Sequence, residues 1–135
     1  MTPVFLDSGY LIALETSDDE NHSTAARHWR SFRRRLPPLV TTTLVFAEIV
    51  TFFNTRRRHA KAVEVGNLLL ESSGVTLVTV DETLLRRSWE FLQRHADKTF
   101  SLADCVSFVV MRERGISKAL SFDRHFLQTG FEKLP

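Results

Sequence analysis

Apolar residues in this chain gather in runs too short for helices, separated by longer stretches of helical period, and that alternation leaves few folds open. Val4-Phe5-Leu6 leads into helical stretches at 8–15 and 22–36, and Leu39-Val40-Thr41 leads into a helix from Thr43. A helix over 59–72 precedes a strand from Val75 to Val80; helices at 82–96 and 102–114 precede a strand at 118–121 and a terminal segment through Phe131. Short apolar runs without polar alternation read as strands covered on both faces. Strands that alternate with helices predict the α/β class with a parallel sheet. Pro37-Pro38 ends one helix and launches a strand, while Ser72-Ser73-Gly74 and Gly115 mark comparable stops. With no internal repeat, low-complexity tract or long linker, residues 1–135 are expected to form a single domain.

Four carboxylates sit beside these apolar runs. Asp7 closes Val4-Phe5-Leu6, at the carboxyl end of a strand where open α/β sheets bind ligands. Glu48 is the only charged residue between Thr43 and Thr55, in a segment apolar nearly all round, as a fully packed helix would be. Asp104 opens the helical run Val106 to Met111, and Asp123 follows the strand and turn Ala119-Leu120-Ser121-Phe122. Each acid also has a structural reading. Asp7 and Asp123 fit helix caps, Ser101-x-x-Asp104 fits a capping box with Asp for Glu, and Glu48 fits a buried pair with an arginine.

Magnitude separates the readings. Two carboxylates about 5 Å apart repel by roughly 3 kcal/mol at an effective dielectric near 20, so four converging acids would accumulate a penalty comparable with a domain's stability. Either they do not converge or cations join them. Oxygen ligands without a Cys or His cluster suit Mg²⁺ or Mn²⁺. Such an ion activates water for in-line attack on a phosphodiester, with Ser8, Ser101 and Ser121 placed to orient the acids from outside.

Charge adds a weaker signal. A net charge of +2 does not by itself advertise nucleic acid, but Arg30, Arg33, Arg34 and Arg35 cluster, as do Arg56, Arg57 and Arg58 after the Glu48 helix. The second cluster would attract phosphates or would simply sit favourably at a helix end. The five histidines show no metal-ligand spacing, and Trp29 and Trp89 are expected to pack rather than stack on bases. One cysteine, Cys105, leaves no internal disulfide and fits a buried hydrophobe in a reducing cytosol. No targeting segment and no apolar window near membrane-spanning length is apparent, so a cytoplasmic location is expected.

The acids lie in motifs that together resemble the PIN domain, in its VapC toxin branch. Val4-Phe5-Leu6-Asp7-Ser8 is similar to the opening motif, Thr42-Thr43-Leu44-Val45-Phe46-Ala47-Glu48-Ile49 to the second, Phe100-Ser101-Leu102-Ala103-Asp104-Cys105 to the third, and Ala119-Leu120-Ser121-Phe122-Asp123-Arg124-His125-Phe126 to the fourth. No single motif is specific, whereas all four in order are. Ser121 stands where the family commonly has threonine, and a hydroxyl is retained. The resemblance implies a PIN-like fold and a Mg²⁺- or Mn²⁺-dependent endoribonuclease with Asp7, Glu48, Asp104 and Asp123 as catalytic and metal-holding acids. It also implies an RNA substrate, a cognate VapB-type antitoxin and a homodimer, for which the apolar segments Phe46 to Phe53 and Val63 to Leu70 are the place to look. Two other readings stay open: a PIN-like RNA-binding module without turnover, and a metal-dependent phosphomonoesterase. The latter expects a two-acid loop with a covalent aspartate, which Asp7-Ser8-Gly9 does not supply.

Overall fold

Every apolar run expected as a strand pairs in parallel with another. The computed structural model describes residues 1–135. Its strands are β1 (Val4–Leu6), β2 (Leu39–Thr42), β3 (Val75–Val78), β4 (Lys118–Leu120) and β5 (Glu132–Leu134), and its helices are α1 (Ser8–Glu15), α2 (His22–Ser31), α3 (Thr43–Thr55), α4 (His59–Glu71), α5 (Glu82–Arg94), α6 (Leu102–Glu113) and α7 (His125–Gln128). The sheet runs β3-β2-β1-β4-β5 with all pairings parallel. Right-handed crossovers then put α1 to α4 on one face and α5 to α7 on the other. The packing agrees: α1 meets α2 and α3, α3 meets α4, and α5 meets α6.

Successive connections step outward from β1 to β2 and β3, and later return to β4 on the opposite side of β1. Strand order therefore reverses between β1 and β4. At such a switch point the connections leave in opposite directions, and a crevice opens beyond the carboxyl ends of the two strands. Asp7 follows β1 and Ser121 follows β4, bordering that crevice. Beneath it lies a core in which Phe5, Phe91, Phe108 and Phe126 are fully buried, with the rings of Phe108 and Phe126 edge to face at 5.0 Å.

Several boundaries differ from expectation for visible reasons. α2 stops at Ser31 rather than 36, because three successive arginines follow and Arg33 turns to a φ of 54°, out of helical space. β3 stops at Val78 because the N–H of Val80 turns aside to the Thr43 hydroxyl at 3.0 Å. β5 carries a single apolar residue, the composition of an edge strand, and by sequence alone is indistinguishable from a tail. α3 is not packed all round. It buries Val45, Ile49 and Phe53 at four-residue spacing and leaves Ala47, Glu48 and Thr51 exposed. Trp29 packs on the core as expected, but Trp89 is 52% exposed beside Leu85 on α5. No helix is long and apolar enough to cross a membrane.

Candidate active site

The four acids come from four different elements and line one cleft of about 470 Å³. Asp7 stands between β1 and α1, Glu48 on the exposed side of α3, Asp104 in the first turn of α6, and Asp123 in the turn between β4 and α7. No lysine or arginine lines this cleft. Glu48 has no salt-bridge partner, so the alternative of an ordinary pair with arginine does not hold.

Local structure fixes each carboxylate. Asp7 occupies the N-cap position of α1, but its side chain makes no capping hydrogen bond. Instead its Oδ2 accepts a 2.7 Å bond from the Ser121 hydroxyl. The same Ser121 oxygen accepts the N–H of Asp123 at 2.9 Å. Fully buried, Ser121 thus ties the first acid to the fourth, and a threonine hydroxyl there would serve the same end. Asp104 is held by a capping box. The Ser101 hydroxyl accepts the Asp104 N–H at 3.0 Å, and Asp104 Oδ2 accepts the Ser101 N–H at 3.2 Å. Capping leaves its carboxylate facing the cleft. Asp123 Oδ1 accepts the N–H of His125 at 2.9 Å, fixing the turn into α7. Ser8 borders the cleft, but its hydroxyl bonds none of the acids.

The electrostatics follow from burial without counter-charge. Desolvation raises the Asp7 pKa to about 7; the Asp104 and Asp123 charges add to it, and the Ser121 hydrogen bond partly offsets them. Partial desolvation over the cleft also raises that of Glu48, helped by the charge of Asp104. Burial pushes the Cys105 thiol up to about 11, which keeps it a buried thiol rather than a nucleophile. A cleft lined by four acids, in which burial disfavours the anionic forms of Asp7 and Glu48 and only oxygen and imidazole donors are at hand, fits a hard divalent cation.

One member of the cleft was not foreseen. His125 Nδ1 lies 3.0 Å from Asp104 Oδ2 and 3.4 Å from Asp123 Oδ1. Its position two residues after an acid at a strand end was the available signal, and its isolation from other histidines concealed it. The arginine cluster, by contrast, lies outside the cleft lining. Arg56 stacks 3.8 Å over Phe52 and donates to the Phe52 carbonyl at 3.1 Å, and Arg58 lies over Phe53, both positions that close the end of α3.

Comparison with known proteins agrees with this geometry. The PIN domain family model matches residues 4–132. The chain belongs to the PIN domain family. It is 36% identical over 128 residues, 95% of each chain, to the 23S rRNA-specific endonuclease VapC20 of Mycobacterium tuberculosis. The crystal structure of that VapC20, described as a sarcin-ricin loop cleaving toxin, superposes with a TM-score of 0.84 over 95% of each chain. More distant structures share the fold. FitAcB from Neisseria gonorrhoeae is 13% identical with a TM-score of 0.66 over 98% of this chain and 96% of its own. A toxin-antitoxin complex from Klebsiella pneumoniae is 12% identical with a TM-score of 0.61 over 90% and 87%. PIN domains are nucleases that generally depend on divalent metal, and this chain is a nuclease of that kind, of the VapC type.

Proposed function

We propose that residues 1–135 act as one nuclease domain, the toxin of a type II toxin–antitoxin pair, which cuts RNA with Mg²⁺ or Mn²⁺ held by Asp7, Glu48, Asp104 and Asp123. The observation that carries this reading is the meeting of four acids from four elements in one cleft without a lysine or arginine. A divalent cation bound there supplies a water acidified to near neutrality and neutralises charge on the departing oxygen. The chain's part is positioning. Ser121 keeps Asp7 and Asp123 at a fixed separation, and the Ser101 box stops Asp104 from rotating into solvent. Glu48 reaches the cleft from α3 and Asp104 from α6, so the four acids converge on the cleft from helices of opposite faces of the sheet.

The extent of the likeness to VapC20 supports ribosomal RNA of the large subunit as the substrate class. Arg56, Arg57 and Arg58 are the residues we assign to distant phosphates, outside the cleft, as steering charge. A cytoplasmic location and silencing by a VapB-type antitoxin belong to the same reading. So does a homodimer formed through the apolar groove between α3 and α4, where Val63 and Leu70 are exposed.

The test is cleavage of purified ribosomes and of total RNA with Mg²⁺, with Mn²⁺ and with EDTA, the cut ends being mapped. Cuts confined to large-subunit rRNA, absent in EDTA, are expected. Glu48→Gln and Asp104→Asn should each lower cleavage by roughly 100-fold or more, with Asp123→Asn milder because water replaces a peripheral ligand. Binding of RNA that stays intact under all three conditions would leave only a binding module.

A further inference from the structure

Among the groups in the cleft, His125 has no assigned role, yet it sits where a ligand would. Octahedral coordination with bonds of about 2.1 Å places adjacent ligand atoms about 3.0 Å apart. The Nδ1 of His125 lies 3.0 Å from one Asp104 oxygen and 3.4 Å from one Asp123 oxygen, and the three residues can each offer a ligand atom within 4.8 Å of the others. The imidazole nitrogen is thus at adjacent-corner spacing from an oxygen of each acid, and all three residues are within reach of one coordination sphere.

The ring is also held from outside. Phe100 meets it edge to face at 5.2 Å and 74°, and Nε2 lies 3.4 Å from the Thr99 hydroxyl. A histidine that ligates through one nitrogen carries its proton on the other and turns that N–H to an oxygen. Thr99 offers that oxygen. Nδ1 is hydrogen-bonded to Asp104 Oδ2, and a cation would take the place of the proton between them while Nε2 keeps its N–H for Thr99.

We propose that His125 Nδ1 is a direct metal ligand together with Asp104 and Asp123, making this position a mixed nitrogen–oxygen site that favours first-row transition ions over Mg²⁺. The inference rests on the nuclease reading above and adds to it a donor and a selectivity. Imidazole nitrogen binds transition ions more strongly than it binds Mg²⁺, which parts reluctantly with water. Replacing His125 should accordingly weaken the transition ion, while Mg²⁺ keeps a water in that place.

The experiment uses metal alone with the whole chain and no RNA. Mn²⁺ and Mg²⁺ affinities are measured by titration for the wild type and for His125→Ala, whose folding is checked by circular dichroism in EDTA. Pulsed electron paramagnetic resonance of bound Mn²⁺ reads any directly bonded nitrogen. Expected are a nitrogen coupling in the wild type, its loss in His125→Ala, and a Mn²⁺ affinity lowered roughly 10-fold or more against a smaller change for Mg²⁺. Labelling histidine with ¹⁵N in the unaltered chain should shift the coupling to the ¹⁵N pattern, a result that needs no variant to fold. Bound Mn²⁺ with no nitrogen coupling, and an unchanged ratio of the two affinities, would overturn the inference and leave the four-acid nuclease standing. A wild type that binds neither ion and cuts no RNA would overturn the nuclease reading and the inference with it.

Discussion

Replacing Asp7 by Asn in the metal-free protein should raise stability, and by an amount that depends on pH in a definite sense. The folded carboxyl titrates at about 7 against 3.8 for the free group, chiefly because it is buried at the end of β1. Below about 4 both states hold the proton and Asp7 has no effect. As pH rises toward 7 the unfolded chain releases the proton first, so the folded state is progressively penalised; above 7 the penalty is constant. At roughly 1.4 kcal/mol per pKa unit its ceiling is about 4 kcal/mol. Asn keeps the shape and an oxygen to accept the Ser121 hydroxyl, so the substitution removes the charge without emptying the site.

Urea unfolding in EDTA at pH 5, 6, 7 and 8 gives the difference in stability between Asp7→Asn and the wild type. That difference should grow by about 2 to 3 kcal/mol between pH 5 and 7 and then level off. Groups that do not interact with Asp7 contribute equally to both proteins and drop out of the comparison, which leaves Asp7 with its coupling to Asp104 and Asp123. Saturating Mg²⁺ at pH 8 should reverse the order by stabilising the wild type selectively. A difference that stays flat from pH 5 to 7 would show that Asp7 is ionised normally and that the crevice is wetter or more cationic than its lining suggests.

Ser121→Ala should cost about 1 to 3 kcal/mol and lower cleavage roughly 10- to 100-fold, because it frees both Asp7 and the Asp123 backbone; Ser121→Thr should preserve both, as thermal melts and cleavage rates will show. Mn²⁺ should raise the melting temperature of the wild type more than that of Asp104→Asn, and equal shifts would place the ion elsewhere. Replacing Arg56, Arg57 and Arg58 by alanine should weaken RNA binding and flatten its dependence on salt, by about one unit of slope for each phosphate no longer neutralised. An unchanged slope would confine these arginines to closing α3.

How far the residues disclosed this depends on whether the deciding force was local. Val4-Phe5-Leu6 and Ala119-Leu120 could be read as buried strands because apolar residues without alternation have few other uses. Ser101 and Asp104 were legible because a capping box closes within one helical turn. The face of Glu48 was not. Its segment is apolar around most of its circumference, and only the packing of α4 and the crevice decides which side is covered and which opens. Likewise β5 exists because Leu120 offers an unpaired edge on which Leu134 aligns, a partnership that nothing in Glu132-Lys133-Leu134 announces.

His125 belongs to this second kind, and the reason is geometric. Asp123 and His125 lie two apart in a turn, where alternate side chains and backbone groups can point the same way, but Asp104 lies 21 residues earlier on α6. What brings the three together is the return of the chain to β4 beside β1, which sets the turn after β4 against the first turn of α6. A cleft at a strand-order reversal thus collects donors from distant segments without any of them needing a recognisable spacing. Acids betray themselves there, because charge beside a buried strand demands an explanation. An imidazole does not, since a neutral ring is tolerated in many partly buried settings, and only its distances to the two carboxylates single it out.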